Sequence, residues 1–318
     1  MKLRVAGRDA YFYSGGKPFD AGLPAVVLLH GALHDHSVWA LQSRWLAHHG
    51  YAVLAPDLPG HGRSPGPALP DVQSLGAWVL ALLKAAGVER AALVGHSMGS
   101  LVALEAAASL GTRATALVML ATAYPMKVSA DLLQAALDDP LAAIDRVNAF
   151  SHSSLAAKPS MPGPGSWLHG GNRALMRRMQ ALHAQDGHGN LFHLDFTACD
   201  RYDGLGAAAE RLRCPSTLLL GDKDRMTPPR QAQALIDLLR PARVVRLPFG
   251  HALMAEAPQA VLGCLRDALA AAADAPAQPG AHAPEAATPP QSPAHAATAA
   301  GSQQPAAPPA AAAPRPSP

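Results

Sequence analysis

Cysteine is scarce in this chain: Cys199, Cys214 and Cys264 are the only three, odd in number and widely spaced. Such a set builds no disulfide framework and fits a reducing compartment. Charge is also thin, with Asp, Glu, Lys and Arg at 15% and a net charge of +3. No dense Lys/Arg block stands out, which argues against a nucleic-acid partner. No window approaches the roughly 18 apolar residues of a membrane span, and the opening MKLRVAGRDAYFYSGG lacks the apolar centre of a signal peptide. The expectation is a cytoplasmic protein that meets a small molecule, with neither a membrane nor a nucleic acid as partner. Its oligomeric state stays open.

Apolar and turn-forming residues are plentiful instead. Hydrophobic residues make up 49%, and 30 prolines and 27 glycines accompany them. They are unevenly spread. From about Ala270 the chain becomes AAAADAPAQPGAHAPEAATPP and continues in that style to its end. This stretch has almost no large apolar side chain to bury against the entropy cost of ordering its backbone. Residues 273–318 therefore read as a disordered Ala/Pro-rich tail, without the period of a collagen or a repeat. The folded part is then residues 1–272.

Within it, β-branched and leucine runs recur: AVVLLHG from Ala25, Val53–Asp57, AALVGHS, ALVMLATA, STLLLGDKD and ARVVRLPFGH. Each reads as a strand buried on both faces. Amphipathic helical stretches lie between them, and two of these stop at Gly50 and Gly87 as helices commonly do. Strands alternating with helices predict an α/β fold: a mostly parallel central sheet flanked by helices. From Ala123 to about Arg211 no strand signal appears, only helical pieces and a Pro/Gly-rich stretch. Residues 124–211 are expected to form a helical cap inserted into a core of 1–123 and 212–272.

The chemistry concentrates at GHSMG, Gly95 to Gly99. A serine between glycines, where a buried run turns into a helix, is forced into a strained conformation with its hydroxyl projecting from the bend. The helix N-terminus there favours developing negative charge. A serine needs a base to take its proton. Fifteen histidines offer one, but His251 is best placed, between the last strand and the last helix. Two aspartates, Asp222 and Asp224, end the preceding strand. Catalytic groups of open parallel sheets gather at such strand ends.

These pieces resemble the α/β-hydrolase superfamily, in particular its capped serine hydrolases. LLHGALHDHSVW resembles the family's oxyanion turn, PDLPGHGRS its D-x-x-G-x-G-x-S loop, and GHSMG its nucleophile elbow. GDKDRMTPP resembles its acid turn and GHALMAEAP its histidine turn; together the five motifs span Leu28 to Pro258. The resemblance implies Ser97 as nucleophile, Asp224 as orienting acid and His251 as general base. It places the oxyanion hole at the backbone N–H groups of Ala32 and Met98. Asp222 is expected to cap its own turn by accepting N–H groups ahead of it.

The expected reaction is acyl transfer through an acyl-enzyme, needing no cofactor and no metal. Serine at position 97 argues against the superfamily's dehalogenases and epoxide hydrolases, which carry aspartate there. A carboxylesterase-like enzyme for small to medium apolar esters fits best, with Met161, Trp167, Leu168 and Phe192 expected to form an apolar pocket. Lactone opening, perhydrolysis, C–C bond hydrolysis and acyl transfer use the same parts. A ligand-binding receptor module with vestigial chemistry is the reading from another class, and the complete Ser-Asp-His set speaks against it. Outside the triad, His96 is expected to pack behind the serine and His30 to order its own turn. Gly60 and Gly62 are expected to let their loop pass close to the site, with Arg63 and Ser64 holding it. His34 and His36 read as a solvated loop rather than a metal site, and Cys199 as a small buried apolar group.

Overall fold

The computed structural model describes residues 1–153 and 164–274, with the backbone alone at 164–167 and 273–274. Among them lie eight strands: β1 (Lys2–Val5), β2 (Arg8–Tyr13), β3 (Ala25–Leu29), β4 (Ala52–Pro56), β5 (Ala91–His96), β6 (Ala114–Leu120), β7 (Ser216–Gly221) and β8 (Arg243–Leu247). They form one sheet in the order β1-β2-β4-β3-β5-β6-β7-β8. β3 to β8 run parallel, and the hairpin β1-β2 adds two antiparallel strands at one edge. That hairpin is absent from the sequence reading, which recognises only long buried runs. β1 and β2 are half-exposed, with few consecutive apolar residues. β8 closes the other edge with Arg243 and Arg246, and charged side chains blunt such edges against stray pairing.

Side chains alternate across a strand, and the core follows that rule. Val27, Leu29, Leu93, Leu117, Met119, Leu218 and Leu220 face one side. There they pack with α2 (Val72–Ala85), α3 (Met98–Leu110), α8 (Leu205–Arg211) and α9 (Gln233–Leu239). Val26, Leu28, Ala92, Val94, Val118 and Leu219 face the other. They meet α1 (Ala40–His48), α10 (Leu253–Glu256) and α11 (Pro258–Asp274). Almost all of these strand residues are fully buried, and each large one contributes about 1.5–3 kcal/mol on transfer from water.

Between β6 and β7 the described residues are helical: α4 (Ala130–Asp138), α5 (Pro140–Ser151), α6 (Pro164–Gln185), α7 (Leu191–Arg201) and α8. Ala136, Ile144, Val147, Met176, Met179, Leu191, Phe192 and Phe196 build a third apolar cluster from α4 to α7. α8 instead packs on α3, through Leu205 and Ala208, and beside it Tyr202 donates to Glu105 Oε1 at 2.8 Å. No helix among the described residues is long and apolar enough to cross a membrane. The Ala/Pro-rich stretch lies outside the described residues, apart from the backbone of 273–274.

Candidate active site

The order of strands reverses between β3 and β5, from which the chain winds outward in opposite directions. Such a switch point leaves a crevice at the carboxyl ends of the strands. The loop after β3 and the turn after β5 both open there. Ser97 sits in that turn at φ 53° and ψ −122°, a conformation costly for any residue with a side chain. It is held by its N–H on Leu120 O at 2.9 Å and by its carbonyl, which accepts from Ser100 N at 2.9 Å. The flanking glycines are required by close approach. A methyl group at Gly95 would lie 2.6 Å from Ser100 N, and one at Gly99 would lie 2.5 Å from Leu29 O. Gly31 crosses so near that a methyl there would lie 3.2 Å from Ser97 Cβ. Met98 opens α3 directly behind the serine, and first-turn N–H groups have no acceptor within their own helix.

Asp224 and His251 come together at the ends of β7 and β8. His251 Nδ1 lies 2.8 Å from Asp224 Oδ2, with both side chains almost fully buried. A carboxylate only accepts, so Nδ1 carries the proton and leaves the lone pair of a neutral ring on Nε2. Thr227 Oγ1 donates to the same carboxylate oxygen at 2.8 Å and stands 3.2 Å from Nδ1. Burial alone would raise the Asp224 pKa. The facing imidazole and the Thr227 N–H and hydroxyl outweigh it, and the pKa falls to about 2.

Asp222 departs from expectation. Its carboxylate accepts from Arg246 Nε at 2.7 Å on the partly exposed edge, and the turn is capped by Asp224 itself. Asp224 Oδ1 accepts from the N–H groups of Met226 and Thr227, each at 2.8 Å. The reason is register: Asp222 pairs outward with β8, while the chain has already turned inward two residues later.

Ser97 and His251 line one cleft, together with Gly31, Ala32, His34, His96 and Thr227. Its apolar wall is Met126, Val128, Val147, Met176, Phe196 and Met226, with Cys199 among the lining residues. That wall differs from the expected one. Phe192 is fully buried in the third cluster and Leu168 is half-buried, and neither lines the described part of the cleft; Met161 and the Trp167 side chain lie outside the described residues.

The neighbouring histidines are held by hydrogen bonds to backbone and side chains. His30 places Nδ1 2.8 Å from Gly31 O and accepts Leu58 N–H on Nε2, so it orders the β3 turn. His96 lies with Nε2 2.9 Å from His251 O, linking the serine's turn to the histidine's loop. Burial holds both rings well below the usual imidazole range, with His61 and His251 respectively adding to the effect. The HDH stretch is not the solvated loop expected. Asp35 is buried, and His34 Nε2 lies 2.8 Å from Asn172 Oδ1. His36 Nδ1 lies 2.7 Å from Asp57 Oδ1.

Asp35, His36 and Asp57 come within 4.8 Å of one another through their ligand atoms. Their oxygens already accept the N–H groups of Ser37, His36 and Arg63, so the group ties two loops together. Arg63 and Ser64 hold the second of those loops to β2: Ser64 Oγ accepts Tyr11 N–H at 2.9 Å, and Arg63 donates to Tyr11 Oη at 3.0 Å.

The profile described as "alpha/beta hydrolase fold" matches residues 24–258, most of the chain. The chain belongs to the alpha/beta hydrolase fold family. It is 39% identical over 126 residues to the "Dihydrolipoyllysine-residue acetyltransferase component of acetoin cleaving system" of Pseudomonas putida. That match covers 39% of this chain and 32% of that protein. The chain spans only about a third of the length of this and the other first curated relatives. It is 26% identical over 263 residues to "Putative carbamate hydrolase RutD" of Escherichia coli O103:H2, covering 79% of this chain and 92% of that one. Among solved structures, the enol-lactonase of Burkholderia xenovorans LB400 superposes with a TM-score of 0.69 at 22% identity, over 85% of this chain and all of that one. The last of these supports the fold alone.

Proposed function

We propose that this alpha/beta hydrolase is a serine hydrolase that cleaves small to medium apolar carboxylic esters through an acyl-enzyme. The observation that carries the reading is the shared cleft: His251, aligned by Asp224 through Nδ1, opens onto the same cavity as the strained Ser97. Ser97 Oγ adds to the ester carbonyl carbon while His251 Nε2 takes the hydroxyl proton. Asp224 keeps the proton of His251 on Nδ1 and stabilises the imidazolium that forms.

The negative oxygen of the tetrahedral intermediate accepts from the N–H groups of Ala32 and Met98. Both are fixed before the substrate arrives, so their alignment costs no reorganisation. The alcohol then leaves with the proton from His251. Water adds to the acyl-enzyme by the same route in reverse, and the acid departs. The methionine- and valine-lined wall favours an apolar acyl chain. The likeness to the "Putative carbamate hydrolase RutD" is consistent with a hydrolytic reading.

The test is labelling with a fluorophosphonate followed by peptide mapping, beside hydrolysis of p-nitrophenyl esters of increasing acyl length. Adduct on Ser97 and turnover that peaks at short to medium chains are expected. Adduct on another serine would overturn the assignment.

A further inference from the structure

The helices between β6 and β7 grip the loop that follows β3, and a buried carboxylate makes the grip. Asp195 on α7 is 4% exposed. Its Oδ2 accepts the N–H of Leu33 at 2.8 Å and lies 2.9 Å from His61 Nε2. The other nitrogen of His61 lies 3.1 Å from Pro59 O, so both ring nitrogens face acceptors. Burial alone would lower the His61 pKa, but the Asp195 carboxylate outweighs it and the net shift is upward. Two further contacts join the same helices to the same loops. Asn172 on α6 meets His34, and His183 on α6 meets Gly60 O at 3.1 Å.

Leu33 is where this grip is felt. It holds φ at 55°, which leucine adopts only under constraint. Its side chain is fully buried in the third apolar cluster beside Ile144, Met176 and Phe192. The residue before it is Ala32, whose N–H faces the reacting oxygen in the proposed mechanism. The Leu33 N–H belongs to the Ala32–Leu33 peptide, the next plane along from the one that carries the Ala32 N–H, so holding it anchors the turn on the far side of Ala32. Asp195 does not line the cleft, so it acts through Leu33. Phe196, the next residue on α7, does line it, so the helix that holds the acyl chain also holds the turn.

We propose that Asp195 is a positioning residue for the oxyanion-binding turn, holding Leu33 in its left-handed conformation so that the Ala32 N–H points at the reacting oxygen. The inference rests on the serine-hydrolase reading. Removing an oxyanion donor costs on the order of 10²- to 10³-fold in kcat, and misdirecting one costs less.

The test compares wild type with Asp195→Asn, which keeps the shape, and Asp195→Leu, which removes both acceptors. Rates are divided by the number of sites that react with fluorophosphonate, so any misfolded fraction drops out. The expected result is a loss in kcat of about 10-fold for Asn and up to about 100-fold for Leu, with KM within about twofold. A trifluoromethyl ketone, which adds Ser97 Oγ and places an oxyanion in the hole, should weaken in parallel with kcat/KM. The matching secondary alcohol, which forms no oxyanion, should bind unchanged. Asp145→Asn, a change to a partly exposed ion pair with Arg173 on the same helical layer, should leave both inhibitors unaffected. A kcat per labelled site within about twofold of wild type in both Asp195 variants would overturn the proposal, as would equal weakening of ketone and alcohol. Failure of the wild type to take fluorophosphonate on Ser97 overturns the hydrolase reading instead, before any variant is compared.

Discussion

In the proposed mechanism Ser97, Asp224 and His251 each answer for one physical task, and single substitutions separate them. Ser97→Ala removes one hydroxyl and little volume, so the fold should persist while ester hydrolysis falls by about 10⁴-fold or more; circular dichroism beside steady-state rates checks both halves. Asp224→Asn leaves His251 without its carboxylate partner, and a change of this kind typically costs ~10⁴-fold in kcat. Asp222→Asn breaks only a partly exposed pair with Arg246, so its cost should stay under about twofold. A larger loss at Asp222 than at Asp224 would reverse the assignment.

The acid also couples to stability. Its pKa is depressed to about 2 in the folded chain, against roughly 3.9 unfolded. The carboxylate therefore stabilises the fold above the unfolded value, and that contribution disappears as pH falls from about 4 through about 2. It amounts to something on the order of 2 kcal/mol. Denaturant midpoints measured across that window should drop in wild type and drop less steeply in Asp224→Asn.

The turn between β5 and α3 shows why an element can demand small residues without asking anything of their chemistry. β3, β5 and α3 meet so closely that the backbone of Leu29 and His30 touches the space above Gly99. A methyl group at Gly99 has nowhere to go but into two carbonyl oxygens, and neither can move without disturbing β3. Gly99→Ala should therefore lower stability by about 1–3 kcal/mol or more and reduce kcat by shifting Ser97 relative to Gly31. A melting temperature equal to wild type would mean that the turn is looser than these distances imply. α7 makes the opposite point. Phe192, Asp195, Phe196 and Cys199 fall at i, i+3, i+4 and i+7, so a carboxylate lies on an apolar stripe. A carboxylate there must find partners, and it finds Leu33 and His61.

Taken as one body, the molecule builds its cleft where three regions far apart in sequence converge. The sheet supplies the switch point, the β7 and β8 ends supply Asp224 and His251, and the inserted helices close over both. α5 takes part directly, because the carbonyl of its last residue, Ser151, accepts the N–H groups of His251 and Ala252 at 3.0 Å each. Disturbing the inserted helices should thus affect the histidine loop as well as the turn after β3. The composition of the Ala/Pro-rich stretch offers almost no large apolar side chain to bury. Removing residues 275–318 should leave kcat unchanged and the melting temperature within about 2 °C of the full chain. A larger fall in either would show that the stretch packs on the rest of the protein.

The alternation of buried runs and amphipathic helices is enough to dictate a parallel sheet covered on both faces, because a strand with no polar side can be satisfied in no other way. The G-x-S-x-G turn was legible for the same local reason: two glycines and a helix start are what a bend of that tightness requires. Local pattern does not separate Asp222 from Asp224 as the cap of their turn, since either aspartate could accept N–H groups ahead of it; Asp224 as the acid follows from the family resemblance alone. Nor does it show Thr227 between Asp224 and His251, or which way Asp222 points, because these depend on the register of β7 against β8. The cleft wall was misread for a similar reason: Phe192 and Phe196 are both apolar and one helical turn apart, and only the packing of α7 decides that Phe196 faces the cleft while Phe192 is buried among helices. The buried link from Asp195 to Leu33 spans 162 residues. Chain order carries no trace of a contact at that separation; it exists because folding brings an inserted helix down onto the loop after β3.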